Sequence, residues 1–98
     1  MKYGAVSIEV VKEMINGVFN ITDAAYAVAV SGIAGPGGDT LEKPIGTVCV
    51  AIGKRGEEID AGVLHLQGNR GLIIEEAANM ALCMLYRRIA HNLLYFKK

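Results

Sequence analysis

The sequence predicts an α/β fold, a layered sandwich of about three strands and two long helices in the order α-β-β-β-α. Two observations carry this. Helical periodicities open and close the chain, and between them lie short apolar runs with a period of two. At 98 residues the chain allows one domain, spanning 1–98, with only a modest core.

The first periodicity is Val11, Met14, Ile15 and Val18, which sets an apolar stripe on a helix from about Ser7 to Phe19. Ser7 is a candidate N-cap because its hydroxyl can accept from an amide of the first turn, and Glu9 complements the positive helix end. Asn20 to Asp23 reads as a turn. From Ala24 to Ser31 both alternating sets are apolar, which predicts a central strand buried on both faces. A second such run, Thr47 to Ile52, puts Val48, Val50 and Ile52 on one face and Cys49 and Ala51 on the other. Lys54, Arg55 and Gly56 then make a tight turn, and Glu57 to Leu66 returns as the second arm of a hairpin with an exposed first half.

The last element is a long helix opening near Asn69. Ile74, Ala78, Leu82, Leu85 and Ile89 form one stripe, with Ile73, Ala77, Ala81 and Met84 beside it. A stripe this wide calls for cover on more than one side. Two helices do not easily cover both faces of such a sheet, and three strands leave two open edges. The layer count therefore predicts a homodimer or a separately encoded front segment that buries the sheet edge and the apolar helix face.

Composition narrows the classes. Hydrophobic residues make up 52% and charged residues 20%, with ten acids against ten bases, which is globular and carries no positive excess for nucleic acid. Cys49 and Cys83 stand in apolar surroundings with no CxxC spacing and read as buried free thiols, which fits a reducing cytoplasm. No apolar run is long enough to span a bilayer, so no membrane contact is expected. His65 reads as a partly buried structural imidazole beside Ile59, Ala61 and Val63, His91 as a helix-end residue and Tyr26 as core. Neither a carboxylate dyad nor a metal-ligand cluster is evident.

The most informative stretch runs from Ser31 to Gly46, far longer than a hairpin needs. Gly32, Gly35, Gly37 and Gly38 free the backbone so that bare amides can converge on a phosphate or a developing oxyanion. The spacing fails the Walker A pattern, since Asp39 follows Gly38, and fails GxGxxG, since Thr40 stands where glycine is required. A glycine-rich surface loop and an anion cradle are both compatible with the composition. Ser31 closes a strand beside the glycine turn, and Lys43 is held extended by Pro44. In Gly68-Asn69-Arg70-Gly71, Asn69 can cap the last helix and Arg70 falls in its first turn. A cation there is disfavoured by roughly 0.3–1 kcal/mol unless an anion binds or Arg70 turns to solvent, Glu75 or Glu76.

The run Ser31-Gly32-Ile33-Ala34-Gly35-Pro36-Gly37-Gly38, followed by Glu42-Lys43-Pro44-Ile45-Gly46-Thr47-Val48, resembles the motif of the CinA C-terminal domain, the nicotinamide-nucleotide amidase family. Tyr3-Gly4-Ala5-Val6-Ser7 resembles that family's Gly-Ala-Val-Ser segment, and Gly68-Asn69-Arg70 its Gly-Asp-Arg. The resemblance implies hydrolysis of the carboxamide of nicotinamide mononucleotide to nicotinic acid mononucleotide and ammonia, by a serine nucleophile and without metal or cofactor. Ser31 and Arg70 map onto catalytic positions, with Gly32, Ile33, Ala34, Gly35, Gly37, Gly38 and Lys43 lining the substrate cleft. A pyridine nucleotide or similar phosphate-bearing molecule is the implied partner. The family's Glu-Ser-x-Thr-Gly-Gly-like segment has no counterpart here, and Ser7 and Ser31, the only serines, do not sit in such a motif. The expectation is a domain lacking its nucleophile segment and inactive alone, or else a non-catalytic nucleotide-binding or oligomerisation module.

Overall fold

The computed structural model describes residues 7–32 and 46–97. Helix α1 spans Ile8–Ile21, strands β1, β2 and β3 span Tyr26–Gly32, Thr47–Lys54 and Asp60–His65, and helix α2 spans Arg70–His91. The described strands form one antiparallel sheet in the order β1-β2-β3, with α1 on one face and α2 on the other.

Ser7 caps α1 as expected, its Oγ accepting from the Val10 amide at 3.1 Å. Val11 and Ile15 are fully buried, but Met14 and Val18 sit at the margin of the stripe and stay exposed. The α1 face of the sheet is built from small residues, Ala27, Ala29, Cys49 and Ala51, so the helix lies close. Gly53 sets the approach: a Cβ there would stand 2.6 Å from Ile15 Cγ2 and 3.1 Å from the Phe19 ring. The α2 face carries the larger side chains Val48, Val50, Ile52 and Leu64, packed against Ile73, Ala77, Ala81 and Met84.

Strand β1 differs from its expected place. The central strand is β2, buried along nearly its whole length, while β1 is an edge strand among the described residues with Val30 37% exposed. Ala27 pairs with Gly53 and Ser31 with Cys49 across that ladder. The β2–β3 hairpin turns at Gly56, whose φ of 86° suits glycine. Arg55 secures the approach to β1, donating to the carbonyls of Ala24 (2.9 Å) and Thr22 (2.7 Å) and lying over the Phe19 ring.

In α2 the sheet takes the stripe expected to be secondary. Ile73, Ala77, Ala81 and Met84 are buried, whereas Ile74, Leu82 and Ile89 are each more than half exposed. The period-3.6 pattern marks both stripes equally, and only tertiary packing distinguishes them. Cys83 is exposed, contrary to its reading as a buried thiol, and Cys49 is buried. His65 is exposed and Tyr26 half-buried, where the sequence suggested a partly buried imidazole and a core ring.

The far end of α2 is fastened by charge. Arg88 is 2% exposed; its Nε donates to Asn92 Oδ1 and its Nη2 to Glu57 Oε1, each at 3.0 Å. Asn92 ends the helix at φ 53°. The Glu57 carboxyl is held below its ordinary value of 4.5, first by the hydrogen bond from Lys54 and also by the charges of Lys54 and Arg88. A depressed folded-state value means that this contribution is complete above the unfolded value and fades as pH falls through the folded one. Urea midpoints measured from about pH 7 to about pH 3 are expected to fall less steeply in Glu57→Gln than in the parent chain.

A C-terminal tail completes the α2 face of β3. The Asp60 carboxylate, 2% exposed, accepts from the amides of Tyr95 (2.7 Å), Phe96 (3.1 Å) and Lys97 (2.8 Å), and Lys97 pairs with Glu58. The Phe96 ring occupies the space where a Gly62 side chain would be.

Candidate site at the loop end of the sheet

The glycine stretch leaves the sheet at Gly32 and re-enters at Gly46, so the ends of the loop define one edge of the molecule. Both helices start at that edge. Ile15 and Phe19 of α1 lie against Gly53 at the opposite end, which places Ser7 and the first turn toward Ser31. In α2, Ile73 packs near Gly46 and Val48, which places Asn69 and Arg70 at the loop end too. The N-termini of both helices, with their positive dipole ends, therefore lie at the end of the sheet marked by Gly32 and Gly46.

Asn69 caps α2, its Oδ1 accepting from the Leu72 amide at 3.0 Å. No acidic residue occupies the first turn of α2, Arg70 is exposed, and among the described residues no carboxylate lies within ion-pair range of it. The pairing of Arg70 with Glu75 or Glu76 that the sequence left open does not form. The positive helix end and the guanidinium add rather than cancel.

Ser31 and Arg70 reach the same end but belong to opposite faces. Ser31 pairs with Cys49 and so lies on the α1 face, half-buried. Gly32 turns to the α2 face, where a Cβ would touch Val48 Cγ2 at 3.0 Å. Beside it a cavity of about 260 Å3 opens between β1 and α2, lined by Val30, Gly32, Val48, Ile73, Ile74 and Ala77. Its walls are apolar, suited to a ring rather than a charge, and it lies one helical turn from Arg70. A larger hollow of about 520 Å3 sits at the other end of α2 around Tyr86 and His91, away from the loop. Ile33, Ala34, Gly35, Gly37, Gly38 and Lys43 lie outside the described residues.

The register adds a residue not singled out from the sequence. Thr47 is two positions from Cys49 on the same face as Ser31, is 5% exposed, and its Oγ1 has no hydrogen-bond partner among the described residues. A buried hydroxyl without a partner costs about 1–3 kcal/mol. Its signal was the Gly46-Thr47-Val48 step, which marks a strand start but says nothing of which face the hydroxyl takes. Thr47→Val is expected to raise unliganded stability by about 1 kcal/mol in urea denaturation. Among the described residues no group of three His, Cys, Asp or Glu side chains could hold a metal ion, and no helix is long and apolar enough to cross a membrane.

A profile of the CinA C-terminal domain matches residues 1–89. The chain belongs to the CinA C-terminal domain family. It is 49% identical over 89 residues to a CinA-like protein of Thermosipho melanesiensis, covering 88% of this chain and 22% of that protein. It is 42% identical over 87 residues to a CinA-like protein of Shewanella amazonensis, covering 89% of this chain and 20% of that one. Among solved structures it is similar to the competence damage-inducible protein A (ComA) of Klebsiella pneumoniae, with a TM-score of 0.82, 34% identity, and 92% of this chain against 55% of that chain. The competence/damage inducible protein CihA of Agrobacterium tumefaciens gives 0.81 and 36%, over 94% of this chain and 55% of that chain. The chain thus spans about a fifth of these curated relatives and just over half of the solved chains. The α-β-β-β-α order of this CinA-type chain agrees with those structures.

Proposed function

We propose that this CinA-type chain binds a phosphate-bearing pyridine nucleotide at the loop end of its sheet and forms one part of a cytoplasmic amidase. The reaction is addition of water across the carboxamide of nicotinamide mononucleotide: the C–N bond breaks, ammonia leaves, and nicotinic acid mononucleotide remains. Arg70 and the N-terminus of α2 hold the phosphate, the apolar cavity beside Gly32 receives the ring, and the loop amides stabilise the oxyanion. Ser31 orients the substrate amide from the strand end. The attacking oxygen comes from a segment outside these residues, since Ser7 is engaged as the α1 cap and neither serine lies in the family's nucleophile motif.

One observation carries this reading: Arg70, without a carboxylate partner among the described residues and at a helix N-terminus free of acids, stands at the same edge as Gly32 and Gly46, the ends of the glycine stretch. That observation also favours a second reading, a nucleotide-binding module without chemistry, since it concerns binding alone. Ammonia release separates the two. The 98-residue chain alone is expected to release none from nicotinamide mononucleotide, and the chain supplied with the family's serine-bearing segment is expected to release it in proportion to that segment. Turnover by the chain alone, sensitive to Ser31→Ala, contradicts the proposed division of labour. Binding with no turnover in either case favours the module.

A further inference from the structure

We infer that Thr47 is a specificity residue of the proposed nucleotide site, its buried hydroxyl recognising the neutral carboxamide of the substrate alongside Ser31. Resting on the nucleotide reading above, this assigns the group at the sheet end that tells a carboxamide from an unsubstituted ring.

Thr47 opens β2, and its Oγ1 is buried with no hydrogen-bond partner among the described residues. The other such atom among them, Nη1 of Arg88, belongs to a guanidinium already held by Glu57 and Asn92 at the opposite end of the molecule. A hydroxyl both donates and accepts, so leaving it empty in the interior is costly unless a bound group fills it in the working state. Two neighbours on the same face fix where it looks. Thr47 stands directly across the ladder from His65, and Ser31, paired with Cys49, is its diagonal neighbour. His65 is exposed and Ser31 half-buried, so the hydroxyl lies just behind the rim of the sheet at the loop end. A ligand reaches it by turning one surface ring rather than by opening the core.

Spacing and charge select the group. Side chains at diagonal positions of an antiparallel ladder stand about 7–8 Å apart. A carboxamide measures about 2.2 Å from oxygen to nitrogen, and with a hydrogen bond of about 2.8 Å at each end it bridges two hydroxyls up to about that separation. It also presents an acceptor on one side and donors on the other, which two hydroxyls can use at once. The two helix ends differ in charge in the same sense. Helix α1 starts beside this face, with Ile8 packed against the cluster that includes Cys49, and its first turn already holds Glu9. A negative charge there suits a neutral group better than a phosphate. Helix α2 opens on Arg70 with no acid in its first turn, which suits the anion. The nucleotide is thereby oriented, its phosphate toward α2 and its carboxamide toward Ser31 and Thr47.

Calorimetric titration of the 98-residue chain with nicotinamide mononucleotide, and with the analogue carrying plain pyridine in place of nicotinamide, tests the assignment. Valine keeps the shape of threonine without its hydroxyl. Thr47→Val is expected to bind nicotinamide mononucleotide about fivefold to tenfold more weakly than the parent, while its affinity for the pyridine analogue stays within about twofold. Thr47→Ser, which restores the hydroxyl, is expected to stay within about threefold of the parent for both nucleotides. Without ligand the Thr47→Val chain is expected to be no less stable than the parent, so weaker binding does not come from unfolding. Equal losses for the two nucleotides, no loss for either, no recovery in Thr47→Ser, or a parent without preference for the carboxamide overturns the assignment and leaves nucleotide binding in place. If the folded parent binds neither nucleotide, the nucleotide reading falls and the assignment falls with it.

Discussion

Asp60→Ala is expected to lower stability by about 2–4 kcal/mol and to release residues 95–97 from the sheet. The carboxylate is buried at the start of β3 and accepts three consecutive backbone amides at 2.7–3.1 Å. Hydrogen bonds to a charged acceptor contribute about 1.5–3 kcal/mol each, and the released amides recover part of that from water at the chain end. Phe96, which covers Gly62, loses its anchor at the same time, and part of the α2-face core is opened. Urea denaturation reads the loss and hydrogen exchange at Tyr95 to Lys97 reads the release. Asp60→Asn is expected to fall between, since one amide oxygen still accepts while the NH2 group confronts donors. An unchanged midpoint in Asp60→Ala would show that the tail contributes nothing to the folded state.

The second large effect is expected at Gly46. Its φ is +96°, and a Cβ there collides with the backbone carbonyl oxygen of Leu66. That carbonyl is not free to move: the Leu66 amide donates to Gly46 O at 2.9 Å, which ties the return of the glycine stretch to the end of β3. Gly46→Ala therefore combines a left-handed backbone with a backbone clash, and a cost of about 2–4 kcal/mol is expected. Because Ile73 lies beside Gly46, the displacement reaches the first turns of α2 and the wall of the cavity. Thermal denaturation should show the loss. A variant as stable as the parent would mean that the loop end is not built as described.

Much of this was legible in the sequence, and the misses have physical causes. Ser7 and Asn69 were readable as caps because capping is local, set by one side chain and one amide. The α2 stripe was not resolvable, because Ile73 and Ile74 are adjacent and equally apolar, and only the sheet selects Ile73. Strand β1 was read as central from its two apolar faces, while the described sheet leaves it at an edge; alternation reports which faces are apolar, not how many strands lie alongside. His65 and Cys83 were misjudged because their exposure depends on how far α1 and the tail extend, which is a tertiary matter. Arg70 was singled out through the rule that cations are disfavoured at helix starts, and it does fall in the first turn of α2; Thr47 was not singled out, because which face its hydroxyl takes appears only once strand register is known.

The central claim is that the loop end binds a phosphate-bearing nucleotide through Arg70 and the start of α2. Calorimetric titration of the 98-residue chain and its Arg70→Ala variant with nicotinamide mononucleotide tests it most directly. Saturable binding to the parent, weakened about tenfold or more by the substitution and by added inorganic phosphate, is the predicted result. Equal affinity of parent and variant, or no binding by the folded parent, would contradict it.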